Sequence, residues 1–138
     1  MAAHDLSDVK ILTSGSLDFT STGVKWKWPH FTSLRIKRFA VLLSAAPGDT
    51  GTVQLRKVNQ AGTATVLATI ELLTTHAADD LVYAALVSGS TALPIVTAEE
   101  HLEVNVSASS ASVSAEYAVV EFTLEPSSSA PSNTVATT

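Results

Sequence analysis

The feature of this sequence that most constrains its fold is an alternation of apolar and polar residues with a period of two. In the stretch VKWKW, the apolar residues Val24, Trp26 and Trp28 are separated by Lys25 and Lys27. Successive side chains of a β-strand point to opposite sides, so this pattern is typical of a strand with one side in a core and the other in water. The same period recurs along most of the chain, which predicts an all-β protein.

The other periodic segments are short and are separated by turn residues. They are VKIL at 9–12, LDF at 17–19, LRIK at 34–37, TVQLRKV at 52–58, ATVLATIEL at 64–72, HLEVNVS at 101–107 and AEYAVVEFTLE at 115–125. The turn signals are Ser14-Gly15-Ser16, Thr22-Gly23, Pro47-Gly48-Asp49, Gln60-Ala61-Gly62 and Ser88-Gly89-Ser90. About eight to ten short strands at this spacing predict an antiparallel β-sandwich or jelly roll.

Residues 75–89, THAADDLVYAALVSG, fit two interpretations. Thr75 as a cap, the acids Asp79 and Asp80 near the start and Gly89 after the last apolar residue are features of a short helix. The run LVYAALV is also compatible with a buried strand, and periodicity does not decide between the two for so short a run. We favour the strand because every neighbouring segment is extended.

The alternation also predicts which side chains form the core. These are Trp26, Trp28, Leu34, Ile36, Val53, Leu55, Leu102, Val104, Val106 and Phe122. Trp28 precedes Pro29, which favours an extended conformation and marks a possible end of the strand, so its ring could instead lie at an oligomer contact. In LRIKRFAVLL the apolar set changes phase between Ile36 and Phe39. Either a β-bulge near Lys37 or a strand that is covered on both sides explains the change.

Length and composition indicate one domain with extensions at both ends. A chain of 138 residues is the size of a single domain with a substantial core. We expect an N-terminal arm at residues 1–8, a sandwich domain at 9–125 and a Ser/Pro/Thr-rich tail at 126–138 that is too polar to order itself. The absence of Cys excludes disulfides and thiolate metal sites and suits a reducing compartment. We expect neither a cleaved leader nor a membrane span, because no apolar run approaches ~18 residues.

The segment from Val24 to Phe39 contains five of the eight Lys and Arg residues, interspersed with aromatic residues. A surface that binds single-stranded nucleic acid needs rings and cations on the same exposed side, so that rings stack on bases while cations contact phosphates. Here the phase is wrong, because the Trp residues share one side of the strand and the Lys residues share the other. We therefore expect no nucleic acid and predict a partner-binding surface instead. Its residues are Lys25, Lys27, His30, Phe31, Arg35, Lys37 and Arg38. We expect the cations to form one positive outer face that meets acidic groups of a partner protein or of a second copy, and His30 with Phe31 to form an apolar rim beside it.

Charge is distributed unevenly along the chain. All Lys and Arg residues lie between Lys10 and Lys57, whereas residues 58–138 carry acids only. Two explanations are open. The two halves of a sandwich can interleave, so that acids such as Glu103, Glu116 and Glu121 lie across from cations in neighbouring strands. Alternatively, the surface is bipolar and orients the protein on a charged scaffold or on its own copies.

Candidate catalytic and metal-ligating residues are few. The acidic neighbourhoods that contain a His are His76 with Asp79 and Asp80, and His101 with Glu99 and Glu100. A zinc site needs convergent ligands, and a calcium loop needs a spacing of oxygen ligands that is missing here. The sequence has no G-x-S-x-G motif, no phosphate-binding Gly-rich loop and no Cys nucleophile. We therefore predict no enzymatic activity, no metal and no cofactor.

Two stretches carry a family resemblance. They are TGTVQLRKVNQAGTATVLATIEL at 50–72 and LPIVTAEEHLEVNVSASSASVSAEYAVVEFTLEP at 93–126. The strand GTVQLRK, the Ala/Thr-rich strand after a tight turn, the strand TAEEHLEVNV and a closing strand that ends at Pro126 are similar to those of β-sandwich virion proteins of tailed bacteriophages. Among these, the sequence most resembles capsid decoration or cement proteins and the heads of short fibres, over roughly residues 34–126.

The resemblance implies a structural protein with no cofactor. Such a protein would decorate and stabilise a bacteriophage capsid by binding the major capsid protein as a homo-oligomer, a dimer or a trimer. It would lie on the capsid exterior of the virion after assembly in the bacterial host cytoplasm. The alternative is a carbohydrate-binding β-sandwich module of a phage fibre or cell-surface protein, which requires exposed aromatic rings for sugar stacking.

The polar composition of the two ends leads to a first prediction. In the free protein, a protease should cut residues 1–8 and 126–138 first, because neither segment has a periodic apolar set that anchors it. Attachment to a capsid should protect at least one of them, since an arm laid on a neighbour adds contact area. Limited proteolysis of free and capsid-bound protein, followed by mass spectrometry, measures this. Equal cleavage rates in both states would contradict attachment through an arm.

Overall fold

The protein is all-β in the computed structural model, which describes residues 9–30, 32–86 and 95–124. Ten strands follow one another along the chain: β1 (Val9–Thr13), β2 (Gly23–Trp28), β3 (Leu34–Leu42), β4 (Gly51–Val58), β5 (Ala64–Leu72), β6 (Leu81–Tyr83), β7 (Ala85–Leu86), β8 (Ile95–Val96), β9 (His101–Ala108) and β10 (Tyr117–Leu124). No helix occurs in these ranges, and in particular none of the length and apolarity needed to cross a membrane. The arm at 1–8 and the tail at 126–138 lie outside the described residues.

The strands form two antiparallel sheets of five strands each. The first sheet has the order β1-β10-β3-β6, with β8 also paired to β3, and the second has the order β2-β9-β4-β5-β7. A continuous core of apolar side chains lies between them. The sequence-based prediction of an antiparallel β-sandwich with eight to ten strands is therefore confirmed.

The segment from Thr75 to Gly89 begins with turns up to Asp80 and then forms β6 and β7, while residues 87–89 lie outside the described residues. This confirms the strand interpretation for the described part. The expectation that the strand is buried is wrong, because β6 lies at the edge of its sheet and its residues Leu81 and Tyr83 are exposed.

The two acids that resembled those of a helix start have a different role. The Asp80 carboxylate accepts a hydrogen bond from the Ala77 backbone N–H at 2.8 Å, and Asp79 has a positive φ of 69°. The Asp80 side chain therefore stabilises a tight turn before β6, in which Asp79 has the left-handed conformation that Asp tolerates.

The predicted core is buried with one exception. Nine of the ten residues are inaccessible to solvent or nearly so, and Trp26 is half-buried against the same cluster. Trp28, the position that could have been an oligomer contact, is buried. Its indole Nε1 donates a hydrogen bond to the Thr13 carbonyl at 3.1 Å. Because β1 and β2 are edge strands of opposite sheets, this bond closes one open side of the sandwich.

A β-bulge in β3 keeps the core apolar, as the change of phase predicted. Glu121 of β10 is opposite Arg38, whereas the next residue, Phe122, is opposite Ile36. Lys37 is therefore the extra residue, and it is exposed. The bulge absorbs this extra residue, so the side chain of Phe39 points to the inner side of the sheet, where it is fully buried.

The segment at 17–19, predicted as a strand, forms only one isolated bridge, between Leu17 and Glu116. Glu116 is fully buried, and its carboxylate accepts three hydrogen bonds. The donors are the Ser44 N–H at 2.5 Å, the Ser44 hydroxyl at 2.7 Å and the Ala115 N–H at 2.9 Å. This side chain therefore joins the loops after β3 and before β10. The sequence-based expectation that Glu116 lies across from a cation is wrong.

Replacing Glu116 by Gln should lower the free energy of unfolding by about 1–3 kcal/mol, because the amide nitrogen would face a backbone N–H and leave a buried donor unsatisfied. Urea denaturation measures the loss. Glu71→Gln is the matched control, since Glu71 is exposed on β5 and its replacement should change the free energy by less than about 0.5 kcal/mol. Equal unfolding midpoints for the two variants would contradict a structural role of the Glu116 carboxylate.

Candidate protein-binding face

The structure does not bring the seven predicted partner-binding residues together. Lys25 and Lys27 lie on β2, an edge strand of the second sheet, whereas Arg35, Lys37 and Arg38 lie on β3 within the first sheet. The chain crosses from one sheet to the other between Trp28 and Leu34. Because the outer sides of a sandwich point in opposite directions, the prediction of one positive outer face is wrong.

The two Lys residues of β2 have different surroundings. Lys25 is the extra residue of a second bulge, between Val24 and Trp26, and its Nζ donates to the Ser21 hydroxyl at 2.8 Å. The pKa of Asp18 is lowered, first because the Thr20 hydroxyl and N–H donate to its carboxylate and to a smaller extent because Lys25 is positively charged. Lys27 is exposed.

His30 and Phe31 were predicted to form an apolar rim beside the cations. The Nδ1–H of His30 donates to the Thr32 carbonyl at 2.7 Å, so the half-buried imidazole stabilises the turn between the two sheets. Phe31 lies outside the described residues. The rim therefore stays a prediction.

Arg38 is the predicted residue with the most informative surroundings. Its Nε is 3.3 Å from the Glu121 carboxylate, and its guanidinium lies 5.6 Å from the centre of the Tyr83 ring. Arg35 is half-buried on the same strand, opposite Thr123 and Ile95. Arg38 thus belongs to the outer side of the first sheet.

That outer side is mainly apolar, and we refer to it as the apolar face. The strand registers align its side chains in adjacent rows: Tyr117 with Leu42 and Leu81, then Val119 with Ala40 and Tyr83, then Glu121 with Arg38 and Ile11. Ile11 is 62% exposed, Tyr83 54% and Tyr117 48%. Ile11, Val119, Ala40, Tyr83 and Leu81 line a groove of about 290 Å³ together with Arg38 and Glu121.

The apolar face is unusual for a sheet that faces water. An antiparallel sheet with one solvated side normally shows polar residues on that side. Six of the large apolar side chains that are exposed on this protein lie on this one side: Val9, Ile11, Leu42, Leu81, Tyr83 and Tyr117. Together they present roughly 500 Å², which is in the upper part of the range for the largest apolar patches of monomeric proteins. The largest apolar patches of monomeric proteins often have a function.

The outer side of the second sheet is polar by contrast. Glu103 of β9 lies between Lys27 of β2 and Arg56 of β4, directly opposite both in the strand registers. Arg56 forms an ion pair with Glu103, and the His101 Nε2 is 3.5 Å from the same carboxylate. Neighbouring side chains leave Glu103 only 4% exposed. These charges are neutralised within the sheet.

The ion pairs decide between the two explanations of the charge distribution. Arg38 pairs with Glu121, Arg56 with Glu103, and Lys57 with Glu100 at 3.6 Å. Each pair joins a cation from the first part of the chain to an acid from the last part, because the sandwich places those strands side by side. The observed pairs therefore support interleaving, not a bipolar surface.

The acidic neighbourhoods that contain a His serve local structure. His76 Nδ1 accepts a hydrogen bond from the Leu73 N–H at 3.1 Å, and Glu100 accepts one from the Thr97 N–H at 2.9 Å. Within the described ranges, no group of three or more His, Asp or Glu residues is arranged to hold a metal ion.

Sequence reasoning missed the apolar face, although a signal was present. The runs Phe39–Leu43 and Ala118–Val120 are apolar without interruption. A continuous run is typical of strands that are covered on both sides. A strand covered on both sides was one explanation of the run in β3, but only the basic residues of that strand were assigned to the outer surface.

Comparison with known proteins adds no relative. No protein-family model matches the sequence, and no curated protein is similar to it at a significant level.

The pairs Arg56–Glu103 and Arg38–Glu121 differ in burial, so replacing the acid of each pair tests whether burial determines how much the pair stabilises the protein. Glu103→Gln should lower the free energy of unfolding by about 1.5–3 kcal/mol, because the Glu103 side chain is 5% exposed and that of Arg56 23%. Glu121→Gln should cost less than about 1 kcal/mol, since the Arg38 side chain is 61% exposed. Urea unfolding measures both values. Equal losses would show that the Glu103 pair is as hydrated as the exposed pair.

Proposed function

We propose that this chain is a structural virion protein that binds protein surfaces through its apolar face and decorates a bacteriophage capsid as a homo-oligomer. The observation that supports binding most directly is the row of exposed apolar side chains on the outer side of the first sheet. Burying apolar area is the main favourable term in most protein associations. The Arg38–Glu121 pair beside this area would set orientation and association rate.

The uses of the titratable residues also favour a structural role. The described acids with resolved contacts accept hydrogen bonds in turns, as Asp80 and Glu116 do, or form cross-strand ion pairs, as Glu103 does. A carboxylate held in this way stabilises the sandwich. A catalytic acid or base, by contrast, would need to reach a substrate proton within hydrogen-bond distance.

The capsid as the partner is supported by the resemblance of residues 34–126 to decoration proteins. In this proposal the apolar face contacts the major capsid protein or a second copy of the chain on the capsid exterior. Nucleic acid is a poor fit. Trp26 packs against the core and Trp28 is buried, so neither ring is available to stack on bases.

A carbohydrate-binding module is the second candidate, and one observation favours it. Tyr83 and Tyr117 are both about half exposed on the same side of one sheet. Two rings on a sheet surface can stack on sugar rings. Their neighbours Leu42, Leu81 and Ile11 are aliphatic, however, and an aliphatic surround suits a protein partner better than a hydroxyl-rich ligand.

Co-sedimentation with empty shells of the major capsid protein from the same virus tests the proposal. Leu81→Ser and Tyr83→Ser should each weaken shell binding by about tenfold or more, because each removes a large exposed side chain of the apolar face. Leu73→Ser is the matched control, since Leu73 is 41% exposed and Leu81 43%, but Leu73 follows β5 in the other sheet. The control should bind like the wild type.

Two results would contradict the proposal. One is shell binding that is unchanged in both apolar-face variants. The other is binding to a glycan array that depends on Tyr83 and Tyr117 without any binding to shells, which would establish the carbohydrate-binding module instead.

A further inference from the structure

The first sheet offers other molecules its outer side in preference to its edges. At one edge, Lys10 of β1 lies opposite the buried residue Phe122 and therefore on the inner side of the sheet. An inward-pointing charge on an edge strand opposes the addition of a further strand. At the other edge, β6 is only three residues long. Association through this sheet is therefore expected to use the apolar face.

The ends of the chain are poorly suited to cover the apolar face. Residues 125–138 include Val135 as their single large aliphatic residue, and residues 1–8 include Met1 and Leu6. Ser, Thr, Pro and Ala make up most of the C-terminal segment. Covering exposed Ile, Leu and Tyr side chains requires a surface with comparable apolar area. A separate chain is the better occupant.

We infer that this occupant is a second copy, packed apolar face to apolar face about a two-fold axis that runs parallel to the strands between β3 and β10. This inference rests on the proposed function, in which the apolar face binds another protein, and it identifies that protein as a second copy of the chain. The strand order β1-β10-β3-β6 has β10 and β3 at its centre. Rotation about an axis between these two strands places β3 of one copy over β10 of the other, and the reverse. This is an isologous contact, in which one surface serves both partners.

The charges of the apolar face are self-complementary under this rotation. Arg38 and Glu121 lie directly opposite each other in the register of β3 and β10. A rotation about an axis parallel to the strands keeps positions along the strands, so Arg38 of each copy faces Glu121 of the other. Stacked sheets are about 10 Å apart, a gap that an Arg and a Glu side chain extended towards each other can span. The dimer would contain four alternating charges.

The apolar rows match in the same arrangement. Val119 of one copy faces Ala40 of the other, and Tyr117 faces Leu42, because each pair shares a register position. Tyr117 therefore meets the smaller side chain of Leu42, while the buried Ala40 leaves a shallow position over which Val119 packs, so that the two layers interdigitate. An unrelated protein would need its own matching side chains at these positions. In the dimer the two-fold symmetry provides the match.

The size of the apolar face predicts a reversible dimer. Its exposed apolar area of roughly 500 Å² is below the about 800 Å² that each partner buries in a standard stable interface. The overall negative charge of the protein, −5, further opposes association at low salt. The dimer should therefore form and dissociate with protein concentration.

Sedimentation equilibrium of charge-reversed variants tests the inference. Arg38→Glu leaves only carboxylates in the ion-pair row, and Glu121→Arg leaves only guanidinium groups. Each variant alone should dimerise about tenfold or more weakly than the wild type, because like charges would face each other across the axis. An equimolar mixture of the two should form a heterodimer at least as tight as the wild-type dimer, since opposite charges then meet across the interface.

The mixture distinguishes an Arg–Glu contact between two copies from the same contact within one copy. Both variants lose the internal Arg38–Glu121 pair, and mixing cannot restore that pair inside either chain. Lys25→Glu and Glu71→Arg are matched controls, because they make the same charge changes on the second sheet. Both should dimerise like the wild type. Thermal unfolding of each variant checks that it is folded, and Leu81→Ser provides an uncharged variant that should also be monomeric.

A wild-type protein that stays monomeric at all concentrations would overturn the inference, as would a mixture that forms no heterodimer. The outcome for the proposed function is distinct. A monomeric wild type that still sediments with capsid shells, with binding lost in Leu81→Ser, would support capsid decoration, contradict its homo-oligomeric form and assign the apolar face to the capsid protein. A wild-type dimer with no affinity for shells would support the inference and contradict the function.

Discussion

The packing of the two sheets against each other is the interaction on which the rest of this structure depends, and its phase in β3 is set by one residue. If β3 were a regular strand with no bulge at Lys37, Phe39 and Val41 would point to the outer side. The bulge restores them to the core and, by the same geometry, places Arg38 opposite Glu121 on the outer side. The core and the apolar face are therefore consequences of the same local irregularity.

Most of the fold could be predicted from the sequence because it is determined by local patterns. The bounds of β5 were predicted to the residue, and those of β4, β9 and β10 to within two residues at each end. The bulge was predicted because a change of phase within one strand is visible in its own residues. Glu116 was misjudged for the opposite reason. Its neighbours in sequence resemble those of a solvated acid, and its three donors come partly from Ser44, which is distant in the chain.

The candidate site depended on topology, which periodicity does not contain. The basic segment was predicted as one surface because its alternation continues through Pro29. The crossing between sheets after Trp28 is a non-local event, decided by pairing of β2 with β9 and of β3 with β10. Periodicity also cannot tell which side of a doubly apolar strand faces water. The residues of the apolar face come from four strands that are far apart in sequence, and only their registers align them.

The two outer sides of the sandwich use similar charged pairs in different ways, and burial is the reason. Around Glu103, Arg56 of the neighbouring strand pairs with the carboxylate and His101 lies beside it, so little of the acid is left for a partner. Around Glu121, the neighbouring residues are apolar and the Arg38 side chain is mostly exposed. An exposed pair contributes little to the stability of the chain itself, because water screens it. Covered by a second apolar surface, the same pair would lose that screening and would favour the partner whose charges match its own. The Arg38–Glu121 pair, which is weak within one chain, is thus the part of the apolar face that most strongly determines which partner binds there.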